Sequence, residues 1–327
     1  MLILVTGGNG FVGSHLVEGL LDRGHHQVRC LIRHTSDLSF IAALPVDFVC
    51  GALDDRESLE RACQGVDAVY HFAGATKAAT AAAYFRVNAQ GTRSLVEACW
   101  RVSPGVKRFV YCSSLGAAGP AAGPEPPDET RPPHPVSDYG HSKLAGEEAV
   151  LAYADRLPVV ILRPAAVYGP RERDILTYFR IVNRRLKPLP GGGVELVSLI
   201  HVSDLVRLAL HVLEAEPAVG QTYFASDGAV YDLEEVLDTI AAVLGKRVLR
   251  IVIPVRWIEA FAALGEIWAG LTNKPLLLND QKVQELKQCY WLCDASKAHR
   301  ELGFVPQIDL RTGLAQTARW YREHGWL

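Results

Sequence analysis

The sequence predicts an α/β protein with a doubly wound parallel sheet and a smaller, discontinuous second unit. Three observations carry this prediction. Short β-branched runs alternate with helix-period segments through the first half, a glycine-rich turn follows the first run, and the alternation ends after Leu162. Consecutive parallel strands need crossover helices, so this alternation indicates a parallel sheet with helices on both faces.

The elements follow from the spacing of apolar residues. Strands are predicted over Leu2–Thr6, Gln27–Ile32, Asp47–Cys50, Ala68–Phe72, Arg108–Ser113 and Val159–Leu162. Helices are predicted over Gly13–Arg23, Glu57–Gln64, Asn88–Trp100 and Tyr139–Tyr153.

The second half is less regular. Arg163–Pro170 is predicted to be a loop, followed by a basic, helix-like segment up to Gly193. Ser198–Asp204 is predicted to form a strand and cap, with Asp204 as the N-cap of a helix over Leu205–Glu214. Residues 1–165 and 199–225 are therefore assigned to the sheet domain, and residues 166–198 and 226–327 to the smaller domain.

Two segments of unusual composition stand apart. Seven prolines fall in Gly116–Ser137, which predicts a stiff loop that forms a lid or rim over the site. Ile251–Leu271 is apolar and aromatic but is interrupted by Arg256, Glu259 and Glu266. It is interpreted as packing helices or as the wall of a substrate pocket, with membrane-surface contact as the minor alternative.

Composition favours a small-molecule enzyme without excluding other globular functions. The net charge of −2 over 327 residues gives no electrostatic basis for binding nucleic acid. The seven cysteines include no pair with zinc-ligand spacing, so no metal site is expected. Cys30, Cys50 and Cys112 fall in strand-like apolar runs and are expected to be buried thiols in a reducing, cytoplasmic location. We expect no signal peptide, since the apolar run Met1–Val5 is too short and lacks a basic flank. We expect no membrane span, since no run of about 18 apolar residues occurs.

The glycine-rich turn carries the first chemical signal. Gly7, Gly10 and Gly13 follow an apolar strand and begin a helix, with Phe11 and Val12 in its first turn. Without side chains, the backbone can turn tightly and approach a pyrophosphate, whose charge then meets the helix N-terminus. The sheet domain is therefore predicted to be a Rossmann-type dinucleotide-binding domain, and the smaller domain to bind substrate.

The end of the second strand bears on which dinucleotide is bound. NAD enzymes commonly place a carboxylate there for the ribose 2′-hydroxyl, whereas an arginine suits a 2′-phosphate. Here Ile32 fills the acidic position and Arg33 follows, so NADP is favoured and NAD stays possible. Asp54, after the third strand, suits the adenine amino group, but it could equally be a loop or capping residue.

A tyrosine and a lysine form the second chemical signal. Tyr139 and Lys143 lie four residues apart, on one face of a predicted helix. A free phenol titrates near about 10, and a nearby ammonium stabilises the phenolate, so Lys143 is expected to lower the pKa of Tyr139. Ser114, at a strand end, can hold a substrate oxygen beside Tyr139, which makes these three residues the candidate acid/base set.

Together these motifs resemble the extended branch of the short-chain dehydrogenase/reductase superfamily, the NAD-dependent epimerase/dehydratase type. The resemblance covers nearly the whole chain. It rests on Thr6–Gly13, Asp54, His71–Gly74, Asn88, Ser113–Ser114, Tyr139 with Lys143, Arg163–Pro170 and His201–Asp204.

The resemblance implies further roles for particular residues. Leu53, Ala73, Gly74, Lys143, Pro164 and Val167 would contact the cofactor, and Asn88 would support the central strands. Thr76, Ser114, Tyr168 and Arg171 would contact the substrate. The resemblance also implies a homodimer built on the helices Asn88–Trp100 and Tyr139–Tyr153.

The sequence departs from nucleotide-sugar epimerases at one position. Those enzymes usually carry an arginine just before the strand at Ser198–Val202, to bind the substrate diphosphate, and this chain has Val197 there. Arg171, Arg173, Arg184 or Arg185 could substitute. The apolar residues Val194, Leu196, Val197, Trp257, Phe261 and Trp268 point to a less polar substrate, although they could equally belong to the core.

Three functions therefore stand as hypotheses. The first is an oxidoreductase on a secondary alcohol or ketone of a fairly apolar or cyclic substrate, similar to 3β-hydroxysteroid dehydrogenases and dihydroflavonol reductases. The second is a nucleotide-sugar epimerase or dehydratase that returns the hydride to its substrate. The third is a non-catalytic dinucleotide sensor, which the intact Ser114, Tyr139 and Lys143 set disfavours.

Overall fold

A computed structural model describes residues 1–191, 195–254 and 288–327. Strands and helices alternate through the first half. In order they are β1 (Leu2–Thr6), α1 (Phe11–Asp22), β2 (Gln27–Ile32), β3 (Asp47–Cys50), α2 (Arg56–Cys63), β4 (Ala68–His71), α3 (Ala81–Phe85), a π-helical stretch (Arg86–Gly91), α4 (Thr92–Val102), β5 (Arg108–Cys112), α5 (Leu115–Ala118), α6 (Asp138–Leu151) and β6 (Val159–Pro164). Nearly all ends of the predicted strands and helices lie within two residues of these bounds. The exception is the helix predicted to begin at Asn88, which is an α-helix only from Thr92 because Arg86–Gly91 is π-helical.

Shorter elements follow in the second half. They are β7 (Ala166–Tyr168), α7 (Asp174–Asn183), β8 (Leu186–Pro190), β9 (Leu196–Val197), β10 (Leu199–His201), α8 (Val202–His211), a 3₁₀ turn (Glu216–Ala218), β11 (Thr222–Ala225), β12 (Tyr231–Asp232), α9 (Leu233–Leu244), β13 (Leu249–Ile253), β14 (Tyr290–Trp291), α10 (Ser296–Leu302) and α11 (Leu310–Glu323). The predicted loop at 163–170 is thus partly wrong, because it contains the end of β6 and all of β7. The basic segment beyond it is a helix followed by a strand.

Within the described residues, seven parallel strands form the main sheet in the order β3-β2-β1-β4-β5-β6-β11. The order reverses between β1 and β4, and the carboxyl ends of these strands meet at one edge. Clusters of buried apolar side chains cover both faces of the sheet. The predicted doubly wound fold is confirmed.

A separate apolar cluster joins the short elements of the second half. It contains Tyr168, Phe179, Leu237, Leu314 and Tyr321, contributed by β7, α7, α9 and α11. The small strands pair in groups beside it, β10 with β7 and β12 with β9 and β14. The proposed domain boundaries stay a prediction.

Asp204 does not cap α8, contrary to the sequence prediction. His201 occupies that position, and its Nδ1 accepts a hydrogen bond from the Ser203 amide at 3.3 Å. Asp204 is fully buried one turn later, where it accepts bonds from the amides of Gln307 and Ile308 and pairs with Arg207 at 2.6 Å. The carboxylate therefore ties α8 to the segment before α11.

The remaining sequence predictions have mixed outcomes. All seven cysteines are free, but Cys50 is exposed on the edge strand β3, so it is not the buried thiol that was expected. The proline-rich segment is irregular after α5, and its role as a lid stays a prediction. Val194, Arg256, Trp257, Glu259, Phe261, Glu266 and Trp268 lie outside the described residues. No helix in the described ranges is long and apolar enough to cross a bilayer.

Candidate active site

The turn between β1 and α1 can only be built from glycine at two positions. Gly7 has a φ of +73°, and a Cβ there would lie 2.6 Å from the Ala73 amide nitrogen. At Gly13 a Cβ would lie 2.0 Å from the Gly7 carbonyl oxygen. The Gly10 amide closes the turn by donating to that carbonyl at 2.9 Å.

The helix after this turn begins without a side-chain cap. Gly10 occupies the N-cap position of α1, where no side chain accepts a hydrogen bond from the helix amides. The first-turn amides of Phe11, Val12 and Gly13 therefore present the positive end of the helix dipole at the carboxyl edge of the sheet. This arrangement is an anion cradle suited to a pyrophosphate.

The other residues predicted to bind the cofactor lie around this edge. Arg33 directly follows β2 and is exposed, and its guanidinium makes no hydrogen bond or ion pair with the described residues. Asp54 is also exposed, and the cap of α2 is Asp55, which accepts from the Ser58 amide. The capping alternative for Asp54 is thus excluded. Leu53 is partly buried and packs on Gly91.

Ser114, Tyr139 and Lys143 come together at the ends of β5 and α6. Ser114 follows β5, and its hydroxyl accepts from the Gly116 amide at 3.0 Å and is hydrogen-bonded with Tyr139. Lys143 lies one turn after Tyr139, is buried, and donates to the Cys112 carbonyl at 2.6 Å. Its Nζ also lies 4.5 Å above the centre of the Tyr111 ring.

The pKa of Tyr139 differs from the sequence expectation. Burial raises it above its ordinary value, and this effect outweighs the Lys143 ammonium and the Ser114 hydrogen bond, which both lower it. The direction of the lysine effect was predicted correctly, whereas the net shift was not. Local spacing reveals the neighbouring charge, but it does not reveal how much water is excluded from the phenol.

Asn88 joins the turn after β4 to α6, the helix that carries Tyr139 and Lys143. Its side chain accepts from the Ala75 amide at 2.7 Å and donates to Ser142 Oγ at 2.9 Å. A Cβ at Gly74 would lie 3.2 Å from Asn88 Oδ1 and 3.6 Å from Lys143 Nζ. Asn88 lies in the π-helical stretch, a distortion that is common at functional sites and that the sequence did not reveal.

A buried relay of hydroxyls and an imidazole lies under Ala73, and sequence reasoning missed it. Thr92 donates its only hydroxyl proton to the Asn88 carbonyl, so His71 Nε2 must donate to Thr92 Oγ1, at 2.9 Å. His71 Nδ1 then accepts from Thr6 Oγ1 at 2.7 Å. Burial, with Lys143 nearby, lowers the pKa of His71 to about 3, which keeps the ring neutral.

A buried ion pair lies on the other side of Ser114 and was also missed. Arg163, at the end of β6, contacts both carboxylate oxygens of Glu147 on α6, at 2.9 and 2.6 Å. Ser113 donates to the same carboxylate. The partners are 16 and 34 residues from Glu147, too far for spacing rules, although a glutamate four residues after Lys143 on a helix was a usable signal.

The structure does not bring all predicted residues into one place. Pro164 is buried at the end of β6, Val167 is half-buried on β7, and Thr76 is exposed after β4. Tyr168 is buried and packs against Gly313 of α11, where a Cβ would lie 2.5 Å from its hydroxyl. Arg171 contacts Ser14 Oγ at 2.9 Å and Glu18 at 2.5 Å on α1. Tyr168 and Arg171 thus take part in packing and in anchoring their loop, and their role as substrate contacts stays a prediction.

Known proteins resemble the chain along its whole length. The family model described as NAD dependent epimerase/dehydratase family matches residues 3–224. A ceramide reductase from Caulobacter vibrioides is 32% identical over 329 residues, covering 100% of this chain and 96% of that protein. A sterol demethylase protein B from Methylococcus capsulatus is 30% identical over 339 residues, covering 99% of each.

A solved structure agrees with this likeness. The crystal structure of a dTDP-glucose 4,6-dehydratase from Streptomyces venezuelae, determined with NAD bound, has a TM-score of 0.80 and 28% identity. The match covers 100% of this chain and 98% of the dehydratase. The turn and the strand ends described above therefore lie in a fold that holds a dinucleotide in a related protein.

Proposed function

Since the chain belongs to the NAD-dependent epimerase/dehydratase family, we propose that it is a reductase acting on a ketone or secondary alcohol of a fairly apolar or cyclic substrate. The observation that carries this proposal is the convergence of Ser114, Tyr139 and Lys143 beside Gly74. A proton donor, its orienting hydroxyl and a fixed ammonium are what reduction of a carbonyl requires from the protein.

The residues of the turn fit a nicotinamide dinucleotide. Gly7 and Gly13 leave a cradle that any side chain would fill, and the uncapped amides of α1 face it. Phe11 and Val12 belong to this first turn. The other proposed cofactor contacts lie near the carboxyl ends of β4 and β6, and they are Ala73, Gly74, Pro164 and Val167. When bound there, the cofactor supplies the hydride acceptor or donor.

Each catalytic side chain has a distinct task in this proposal. Tyr139 Oη gives its proton to the substrate oxygen during reduction and removes it during oxidation. Ser114 Oγ donates a hydrogen bond to that oxygen and holds it beside the phenol. Lys143, fixed by the Cys112 carbonyl, stabilises the phenolate and is near enough to Gly74 to contact the nicotinamide ribose.

NADP is proposed as the preferred cofactor, with NAD as the alternative. Thr6, the last residue of β1 before the glycine turn, pairs with Leu31 of β2. Arg33 therefore lies two residues beyond the partner of Thr6, at the same edge of the sheet as the turn. Its exposed guanidinium is free of described partners and suits a 2′-phosphate. Asp54 and Leu53, on the next loop, would contact the adenine.

Removing the Arg33 charge tests this preference. We expect Arg33→Ala to weaken NADPH binding by roughly tenfold or more, since a charge-assisted contact to phosphate is lost, and to leave NADH binding nearly unchanged. Isothermal titration with each cofactor measures both affinities. Arg319→Ala, on the exposed face of α11, is the control. Equal losses for the two cofactors would remove the argument for NADP.

The apolar substrate class has support from the arginines near the site. Arg171 is engaged by Ser14 and Glu18, and the Arg173 guanidinium lies 5.3 Å from the Trp326 ring centre. Arg171 and Arg173 thus have partners within the protein, whereas Arg184 and Arg185 are exposed and could still replace the diphosphate-binding arginine that is missing at Val197. The ceramide and sterol named in the two relatives fit the same class.

An epimerase or dehydratase is the second candidate, favoured by the dTDP-glucose 4,6-dehydratase likeness. The two functions differ in their use of cofactor. A reductase consumes one cofactor per product, whereas an epimerase returns the hydride and consumes none. Following NADPH absorbance with apolar ketones and with nucleotide sugars separates them.

The role of Tyr139 is tested by removing its hydroxyl. We expect Tyr139→Phe to lower kcat by roughly 100-fold or more, because general acid catalysis is lost, while cofactor affinity changes little. Tyr153→Phe, at the end of the same helical region, is the matched control and should keep full activity. An active Tyr139→Phe enzyme would contradict the mechanism.

A homodimer is proposed from an exposed apolar surface. Trp100 of α4 and Leu151 of α6 are 37% and 43% exposed, and they belong to the two helices on which the resemblance places the interface.

A cytoplasmic location is proposed from the free cysteines, which persist in reducing compartments.

A further inference from the structure

Two histidines and a glutamate meet at the edge of the sheet opposite the glycine turn. His25 and His26 directly precede β2, and Glu214 follows α8. One ligand atom from each residue lies within 4.8 Å of the other two. The cluster takes no part in the proposed reaction, because the catalytic groups lie at the opposite ends of the strands.

His25 is held in the form that binds a metal. Its Nδ1 lies 2.6 Å from the Arg23 carbonyl oxygen, and since a carbonyl can only accept, Nδ1 carries the proton. The lone pair of Nε2 is therefore free. Histidine ligands of metal ions characteristically donate their other nitrogen to a backbone carbonyl in this way.

His26 supplies a second, independent indication. The residue is only 7% exposed, and both of its ring nitrogens are buried without a hydrogen-bond partner among the described residues. Buried polar nitrogens are normally satisfied, so an unpaired imidazole beside another free imidazole needs an explanation.

Glu214 completes the set and partly balances the charges around it. Arg23 Nη1 contacts only Oε1, at 3.2 Å, in the described structure, and Oε2 can face the histidines. Arg23 and the Met1 ammonium, which donates to the His25 carbonyl at 3.2 Å, both oppose a cation. A hard ion such as Ca²⁺ or Mg²⁺ gains little from imidazole, so only a metal with high nitrogen affinity can overcome these charges.

We propose that His25, His26 and Glu214 bind a divalent transition-metal ion of the Zn²⁺ class. Ligand atoms around tetrahedral zinc lie about 3.3–3.5 Å apart, so side-chain rotation of roughly 1 Å closes the site, and water fills the fourth position. The ion joins the turn between α1 and β2 to the end of α8. Its role is structural, pinning α8 to the amino edge of the sheet.

Metal titration tests the site directly. The protein carries no histidine tag, has Cys50→Ser as background because that thiol is exposed, and is stripped with a chelator. Isothermal titration with ZnCl₂ should give one site per chain. Glu214→Gln and His25→Ala should each weaken it by roughly 100-fold, since even the residues behind metal ligands contribute 10–100-fold. Glu323→Gln and His324→Ala, at exposed positions at the end of α11 and directly after it, are the matched controls.

Two further readouts fix the location and the role. Zn²⁺ should raise the Tm of the background protein by a few degrees and leave that of Glu214→Gln unchanged, because binding stabilises only the folded state that assembles the site. Anomalous diffraction from Zn²⁺-soaked crystals should give a peak between the three side chains. A peak elsewhere, or equal affinity in Glu214→Gln and Glu323→Gln, would overturn the proposal.

Discussion

Two buried histidines make folding sensitive to acid. The pKa is lowered to about 3 for His71 and to about 4 for His201, in both cases mainly by burial. In the unfolded state both histidines have the ordinary pKa of about 6.5. Below that pH the unfolded state therefore binds more protons than the folded state does. Stability is therefore full above about pH 6.5 and declines as the pH falls towards the folded values. Between pH 7 and pH 5 each histidine should cost about 2 kcal/mol of unfolding free energy.

The contribution of His71 can be isolated by substitution. Urea unfolding at pH 7 and pH 5 should show that His71→Gln loses about 2 kcal/mol less stability on acidification than the parent protein, because one titrating group is gone. The variant is less stable at both pH values, since Thr6 and Thr92 lose their partner, but only its pH dependence bears on the prediction. Exposed His324→Gln should keep the full acid response, and an unchanged response in His71→Gln would contradict this account.

At the scale of residues, the sequence predicted the groups whose chemistry depends on local spacing. Gly7, Gly13, Tyr139 and Lys143 could be identified because a tight turn or one helical turn determines their arrangement. Asp204 and Arg171 could not, because their partners lie about a hundred or more residues away along the chain. The pKa of Tyr139 failed for a related reason, since burial is a property of the assembled fold.

At the scale of elements, Glu147 connects α6, the helix of Tyr139 and Lys143, to two strand ends. Ser113 follows β5, Arg163 ends β6, and both contact the carboxylate on α6. The pair is almost completely buried, with side-chain exposures of 7% for Arg163 and 2% for Glu147. Removing one partner would leave the other charge buried without compensation.

Glu147→Gln should therefore lower the free energy of unfolding by about 3–5 kcal/mol, as measured by urea titration. Activity should also fall, because α6 carries Tyr139 and Lys143 and is held to β5 and β6 through this carboxylate. Its neighbour Glu148 is exposed, so Glu148→Gln is the matched control and should change stability by less than about 0.5 kcal/mol. Similar stabilities for the two variants would show that the pair does not hold the helix.

Long periodic elements were predictable, and short ones were not. Six of the seven strands of the main sheet were recognised from their β-branched residues, whereas β11 was not predicted. The family resemblance is confirmed by the matching family model. β7 has three residues and exists because it pairs with β10, which begins 33 residues later in the chain. The π-helical stretch was likewise missed. It differs from an α-helix in its backbone hydrogen bonds, and the spacing of apolar residues over so short a stretch does not reveal that difference.

At the scale of the whole molecule, the proposed dimer makes a prediction. Leu151→Glu should shift the protein from dimer to monomer in analytical ultracentrifugation, because a buried charge without a partner opposes association at an apolar interface. Val305→Glu is the control, since Val305 is 52% exposed and lies away from α4 and α6. A parent protein that sediments as a monomer would contradict the proposal.

The strand order also has a consequence for synthesis of the protein in the cell. β11 pairs with β6, although 60 residues separate Pro164 from Ala225. At roughly 5–20 residues per second, a ribosome needs several seconds to make the intervening chain. During that interval the nascent polypeptide exposes the free edge of β6, which is a target for chaperones and a starting point for aggregation.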